Sequence, residues 1–197
     1  MQRAAMWLTL TGSLLALLLL ANYHRQSSQL SDLHDSGFVA INNPVPIEPF
    51  QLTDHEDRKV GREVLQDNWS LVFFGFTYCP DVCPTTLGIL NQVVSEMAQP
   101  PRIILVSADP ERDTPELLKG YVTAFNPSFI GLTGELEQLT SLGYQLRVAF
   151  RKTDETENYM IEHSANIALV NPAGEFVGYF TIPHRKEEMV QVLQRVM

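Results

Sequence analysis

Leu71-Val72-Phe73-Phe74-Gly75-Phe76-Thr77-Tyr78-Cys79-Pro80-Asp81-Val82-Cys83-Pro84 holds both cysteines of the 197-residue chain. From Leu71 to Phe76 the run is almost continuously apolar, the pattern of a strand buried on both faces of a sheet. Pro84 favours helix initiation just after Cys83, so the strand delivers two thiols to the start of a helix. Partial positive charge at a helix N-terminus stabilises thiolate over thiol and lowers a cysteine pKa. Thiolates attack disulfides and bind soft metals, so the pair is a thiol-redox site or a soft-metal site. Three residues separate the cysteines, which permits a disulfide and also lets both sulfurs point at one ion. Inert buried cysteines are common in cores, but two prolines and an acid around this pair weigh against that reading.

Downstream, Leu87, Leu90, Val94 and Met97 recur at helical spacing until Pro100-Pro101. Residues 102–108 form a second buried strand, and Thr114-Pro115 caps a helix reaching about Ala124. A short strand over 129–132 and a helix over 135–142, ended by Gly143, follow. A strand is expected over 145–152, with 159–161 pairing back across a charged turn. Residues 165–170 and 175–180 make a hairpin about Asn171-Pro172-Ala173-Gly174. Residues 186–196 form a terminal amphipathic helix with Met189, Val190, Leu193 and Val196 on its apolar face. Upstream, residues 46–52 open the folded part as a short edge strand, and Val60 returns as its partner after a charged turn. Strands alternating with helices give an α/β three-layer sandwich with a mixed central sheet and added hairpins. A cysteine pair at a strand-to-helix junction makes that sandwich thioredoxin-like.

The formal charge of −9 excludes nucleic acid as a partner, because phosphates demand clustered Lys and Arg. Two cysteines form at most one local pair, which cannot staple a fold, so their role is chemical. Residues 4–21 carry no charge and are dense in Leu, close to the ~20 apolar residues that cross a bilayer. Cleavage after Ala21 would put Leu19 where a small residue is needed, so the segment is expected to remain as a single-pass anchor. The expected organisation is a membrane anchor over 1–21, a polar tether over 22–45 and a domain over 46–197. That domain faces the periplasm or another extracytoplasmic side of the inner (cytoplasmic) membrane.

His163, in Glu162-His163-Ser164, stands just before the strand expected over 165–170, where thioredoxins carry a cis-proline against their cysteines. No proline stands there in this chain. A lone histidine at a strand start is usually a hydrogen-bonded structural residue, but this one faces the thiols. Two thiolates and one imidazole suit Cu(I), and with a further ligand Cu(II). Zinc fits the same set less well, because structural zinc takes four protein ligands and no further cysteine exists. His24, His34, His55 and His184 read as solvated surface residues. Asp109-Pro110-Glu111-Arg112-Asp113-Thr114-Pro115 follows a buried strand at the sheet edge where α/β sites gather; a capped loop with Arg112 pairing an acid accounts for it equally well.

Residues 74–84, with Ser107-Ala108-Asp109-Pro110-Glu111-Arg112-Asp113-Thr114-Pro115 and Glu162-His163-Ser164, resemble the SCO/SenC family from about Phe50 to the C-terminus. These are membrane-anchored, thioredoxin-like copper proteins tied to cytochrome c oxidase assembly. The resemblance implies that Cys79, Cys83 and His163 are copper ligands. Three positions depart from the family pattern: Glu162 replaces the common Asp, Tyr78 a frequent His, and the turn after Leu52 lacks the usual glycine. The expected function is therefore a copper metallochaperone for Cu(I) or Cu(II). Its partner would be the copper-bearing subunit of the oxidase or another copper chaperone. The main alternative is a membrane-anchored thiol-disulfide oxidoreductase that keeps the recipient's copper-ligand cysteines reduced, with Cys79 and Cys83 as its redox-active pair. A thiol peroxidase on the same fold is a third.

Overall fold

The computed structural model describes residues 37–154 and 159–197. The expected anchor (1–21) and the first part of the tether (22–36) lie outside the described residues. Among the described residues, no helix is long and apolar enough to cross a membrane.

Among the described residues ten strands are formed: β1 (Phe38–Pro46), β2 (Leu52–Asp54), β3 (Lys59–Val60), β4 (Ser70–Gly75), β5 (Arg102–Ser107), β6 (Ile130–Thr133), β7 (Phe150–Lys152), β8 (Ile161–His163), β9 (Ile167–Val170) and β10 (Glu175–Phe180). Four α-helices accompany them among the described residues: α1 (Val82–Glu96), α2 (Pro115–Phe125), α3 (Leu136–Gln145) and α4 (Lys186–Val196). Eight strands make one sheet in the order β1-β10-β9-β4-β5-β6-β2-β3. Its centre is parallel, with Val72 opposite Ile104 and Ile104 opposite Ile130, while β9, β10, β1, β2 and β3 join antiparallel. The expected mixed sheet is thus observed.

Period-two alternation sends neighbouring side chains of the central strands to opposite faces. Leu71, Phe73, Ile103, Leu105, Ile167 and Leu169 pack beneath α1, α2 and α4, meeting Leu87, Leu90, Leu118, Met189 and Leu193. Val72, Phe74, Ile104, Val106, Ala168 and Val170 face the other way, onto Leu139 and Leu142 of α3. Both faces of β4 are sealed, which is why its sequence is apolar without interruption. Thr114 caps α2 as expected, accepting a hydrogen bond from the Leu117 amide ahead of Pro115.

Several expectations need correcting. The sheet begins at Phe38, inside the stretch read as tether, because β1 pairs with β10 and seats Phe38 on Phe180 with ring centroids 4.8 Å apart. An edge strand exposes much of its length, and Asn42 to Val45 of β1 are exposed, so the segment looked polar. Gly143 does not end α3; it lies within the helix, where a Cβ would come within 2.9 Å of the Val148 carbonyl oxygen. The strand expected over 145–152 is confined to β7, and β8 pairs with it as a separate two-stranded arm. His163 ends β8 rather than preceding β9 directly.

Two histidines read as solvated are not. The His55 ring, 10% exposed, accepts a hydrogen bond at Nδ1 from the Gly131 amide at 3.0 Å. His184 donates from Nε2 to the Ala165 carbonyl at 2.8 Å, and burial holds its pKa below the ordinary value of 6.5. As pH falls through 6.5 the unfolded chain takes up a proton there that the folded one excludes, so stability is lost with acidification. The midpoint of urea unfolding is therefore expected to fall between about pH 7.5 and 5.5. His184→Gln should flatten that dependence; an unchanged slope would contradict the assignment.

Candidate metal centre

β4 ends at Gly75, and α1 begins seven residues later at Val82, so the cysteine loop lies over the C-terminal end of the sheet. A Cβ on Gly75 would meet the Cys83 Sγ at 3.0 Å. Only glycine lets that sulfur settle against the strand. Cys83 is fully buried, and Cys79 retains 9% exposure. Both are free thiols, and the Cys83 amide donates to the Cys79 Sγ at 3.4 Å. A helix terminus lowers a cysteine pKa, yet burial, followed by the hydrogen bond with Cys79, pushes the Cys83 thiol up. Burial in apolar surroundings outweighs the helix terminus there.

β8 brings His163 to the same place from eighty residues away: its Nε2 stands 3.6 Å from the Cys83 Sγ. Nδ1 lies 3.1 Å from the Ser164 carbonyl oxygen, which assigns the ring proton to Nδ1 and leaves the Nε2 lone pair facing the sulfur. The edges of Phe73 and Phe76 enclose the ring at 5.8 and 6.2 Å, and burial lowers its pKa, keeping the imidazole neutral. A neutral imidazole with a free Nε2 beside a thiol is a metal donor set. Among the described residues, no three His, Cys, Asp or Glu side chains already stand together at metal-holding distances. The Cys79 sulfur instead serves the Cys83 amide. A surface cleft of ≈ 390 Å³ opens between Cys79, Pro80, Val82, Met160 and His163.

The loop from Ser107 to Pro115 frames this pair. Asp113, completely buried, accepts hydrogen bonds from the Thr77 amide (3.2 Å), the Thr77 hydroxyl (2.6 Å) and the Ser107 hydroxyl (2.7 Å). Asp109 accepts from the Tyr159 hydroxyl at 2.6 Å and pairs with Arg112. The loop and the Arg112 pairing are legible in the sequence; the bracing roles of Asp113 and Tyr159 are not. Tyr159 carries no local signal beyond standing four residues before His163. Tyr78, beside Cys79, is 58% exposed.

Comparison with known proteins extends these observations along the chain. The SCO1/SenC family model matches residues 41–197. The human mitochondrial protein SCO1 homolog is 35% identical over 190 residues, 92% of this chain and 63% of the human one. Among solved structures, Bradyrhizobium japonicum ScoI with copper bound superposes with a TM-score of 0.69 at 35% identity, covering 78% of this chain and all of that one. Apo Sco1 from Thermus thermophilus superposes at 0.73 with 32% identity, covering 81% of this chain and 96% of that one. The thioredoxin-like fold is shared with these structures. Because the match takes in every element from within β1 to α4, and not the cysteine loop alone, the chain belongs to the SCO1/SenC family.

Proposed function

We propose that this protein is a copper metallochaperone that holds Cu(I) or Cu(II) through Cys79, Cys83 and His163. It would deliver the metal for copper-centre assembly in cytochrome c oxidase, with residues 4–21 anchoring it to the membrane. The observation that carries the reading is the Nε2 of a neutral His163 facing the Cys83 sulfur at 3.6 Å. Relatives solved with copper bound support the choice of metal. Soft sulfur donors with one imidazole select copper over hard cations.

Burial keeps the metal-free Cys83 a thiol, so metal must displace its proton and binding weakens at low pH. Cys79 is the donor nearer to solvent and borders the cleft. It is the first that a recipient's thiolate displaces, with Cys83 and His163 releasing behind it. Oxidation of the pair to a disulfide removes both sulfur donors and switches binding off. Copper titration of the full chain in detergent should give a His163-dependent EPR and absorption spectrum, and His163→Ala should bind more weakly with that spectrum changed. Equal affinity and an identical spectrum for His163→Ala would end the three-donor reading. Disulfide reduction without copper binding by either form would favour the oxidoreductase.

A further inference from the structure

The β7–β8 arm that carries His163 shares no strand pairing with the main sheet, so side chains must hold it at the cysteine loop. Phe150 stacks on Phe74 at 5.8 Å near the base of the arm. At its far side stands Arg112. Its guanidinium carbon lies 3.8 Å from the centre of the Tyr159 ring, which leads into β8, and 4.9 Å from that of Tyr78, the residue before Cys79. Its Nε pairs with Asp109, whose other carboxylate oxygen takes the Tyr159 hydroxyl at 2.6 Å. One cation therefore touches both halves of the candidate centre.

Hydrogen bonding alone does not account for this placement, because the Arg112 Nη2 is buried with no partner. A buried donor left unpaired is costly and calls for a reason. Guanidinium planes stack favourably on aromatic faces, increasingly so out of water, and lysine cannot match that geometry. Lys152 adds a second cation over Tyr159 at 4.5 Å and pairs with Glu111 at 2.5 Å, further fastening the arm to the same loop.

We propose that Arg112 is a positioning residue: by spanning Tyr78 and Tyr159 it sets the approach of His163 to Cys79 and Cys83. The proposal rests on the metal-binding reading for its consequence but not for its geometry. Removing the pin frees the arm to swing while the cysteine loop stays on Asp113, so the imidazole is displaced from the sulfurs. Outer residues that orient metal ligands typically change affinity by about 10- to 100-fold.

The test compares wild type, Arg112→Met, Arg112→Lys and His163→Ala. In metal-free protein, Arg112→Met should speed hydrogen exchange at the amides of residues 161–164 while leaving those of β4 unchanged. Its copper affinity should fall about 10- to 100-fold, and the nitrogen coupling in the Cu(II) EPR spectrum should move toward that of His163→Ala. If Arg112→Met leaves Asp109 uncompensated and does not fold, Arg112→Lys decides, with the same shifts to a smaller degree. Unchanged exchange in the arm of a folded variant overturns the pin. If exchange rises but wild type and His163→Ala give one spectrum, the pin stands and the three-donor reading falls.

Discussion

Cys83→Ala is expected to abolish copper binding while leaving the domain folded. The side chain removed is a single sulfur in a fully buried place against Gly75 and His163. Losing one buried heavy atom and leaving a small void costs about 1–2 kcal/mol, a fall of several degrees in Tm for a domain of this size. Binding is another matter. Without Cys83 the proposed set keeps one sulfur and one imidazole, and the imidazole loses the neighbour it faces. The loss should exceed the ~10–100-fold typical of residues that merely orient ligands. Isothermal titration with Cu(I) under reducing conditions, with the melting curve recorded in parallel, checks both halves. Retained stoichiometric binding at wild-type affinity would exclude Cys83 as a donor.

The same variant separates the two readings of the thiol pair. In an oxidoreductase, the more exposed Cys79 would attack the substrate disulfide, and Cys83 would resolve the mixed disulfide. Deleting Cys83 would then trap the substrate covalently on Cys79. A copper carrier has no such adduct to accumulate. The raised pKa of Cys83 favours the carrier, since a thiol that resists ionisation resolves slowly but still yields its proton to a metal.

How much of this was legible in the sequence depended on where the determining contacts lie. β4 and the cysteine loop were read correctly because burial on both faces leaves one possible pattern, uninterrupted apolar residues. β1 was missed because an edge strand buries Phe38 yet exposes Asn42 and Asn43. Glycine often ends helices, whereas Gly143 lies inside one and makes room for a carbonyl oxygen. β8 has only three residues, Ile161, Glu162 and His163, too few to show a period. The sequence singled out His163, yet its contact with Cys83 crosses eighty residues and belongs to the fold. Asp113 and Tyr159 carry the least local signal, whereas the pairing of Arg112 with an acid is legible in the loop. A loop motif announces a turn, but not that its carboxylate will meet Thr77, thirty-six residues earlier.

Asp113→Ala should be the most destabilising single change outside the hydrophobic core. The substitution leaves the half-buried Thr77 amide and hydroxyl and the buried Ser107 hydroxyl without their acceptor. Buried donors stranded in this way cost about 1–3 kcal/mol each. Allowing for partial relaxation, a total of about 3–5 kcal/mol is expected, a Tm lowered by roughly 10 °C or more. Asp113→Asn is the informative companion. Its amide oxygen can still accept from Thr77, while its NH₂ can donate to the Ser107 hydroxyl, which rotates to suit. It should cost only about 1 kcal/mol. Thr77 lies two residues before Cys79, so the Ala variant should also loosen the cysteine loop and speed alkylation of Cys79. Equal melting temperatures for the Ala and Asn variants would mean that the carboxylate does not brace the loop, and that Gly75 and the apolar packing of Cys83 hold it alone.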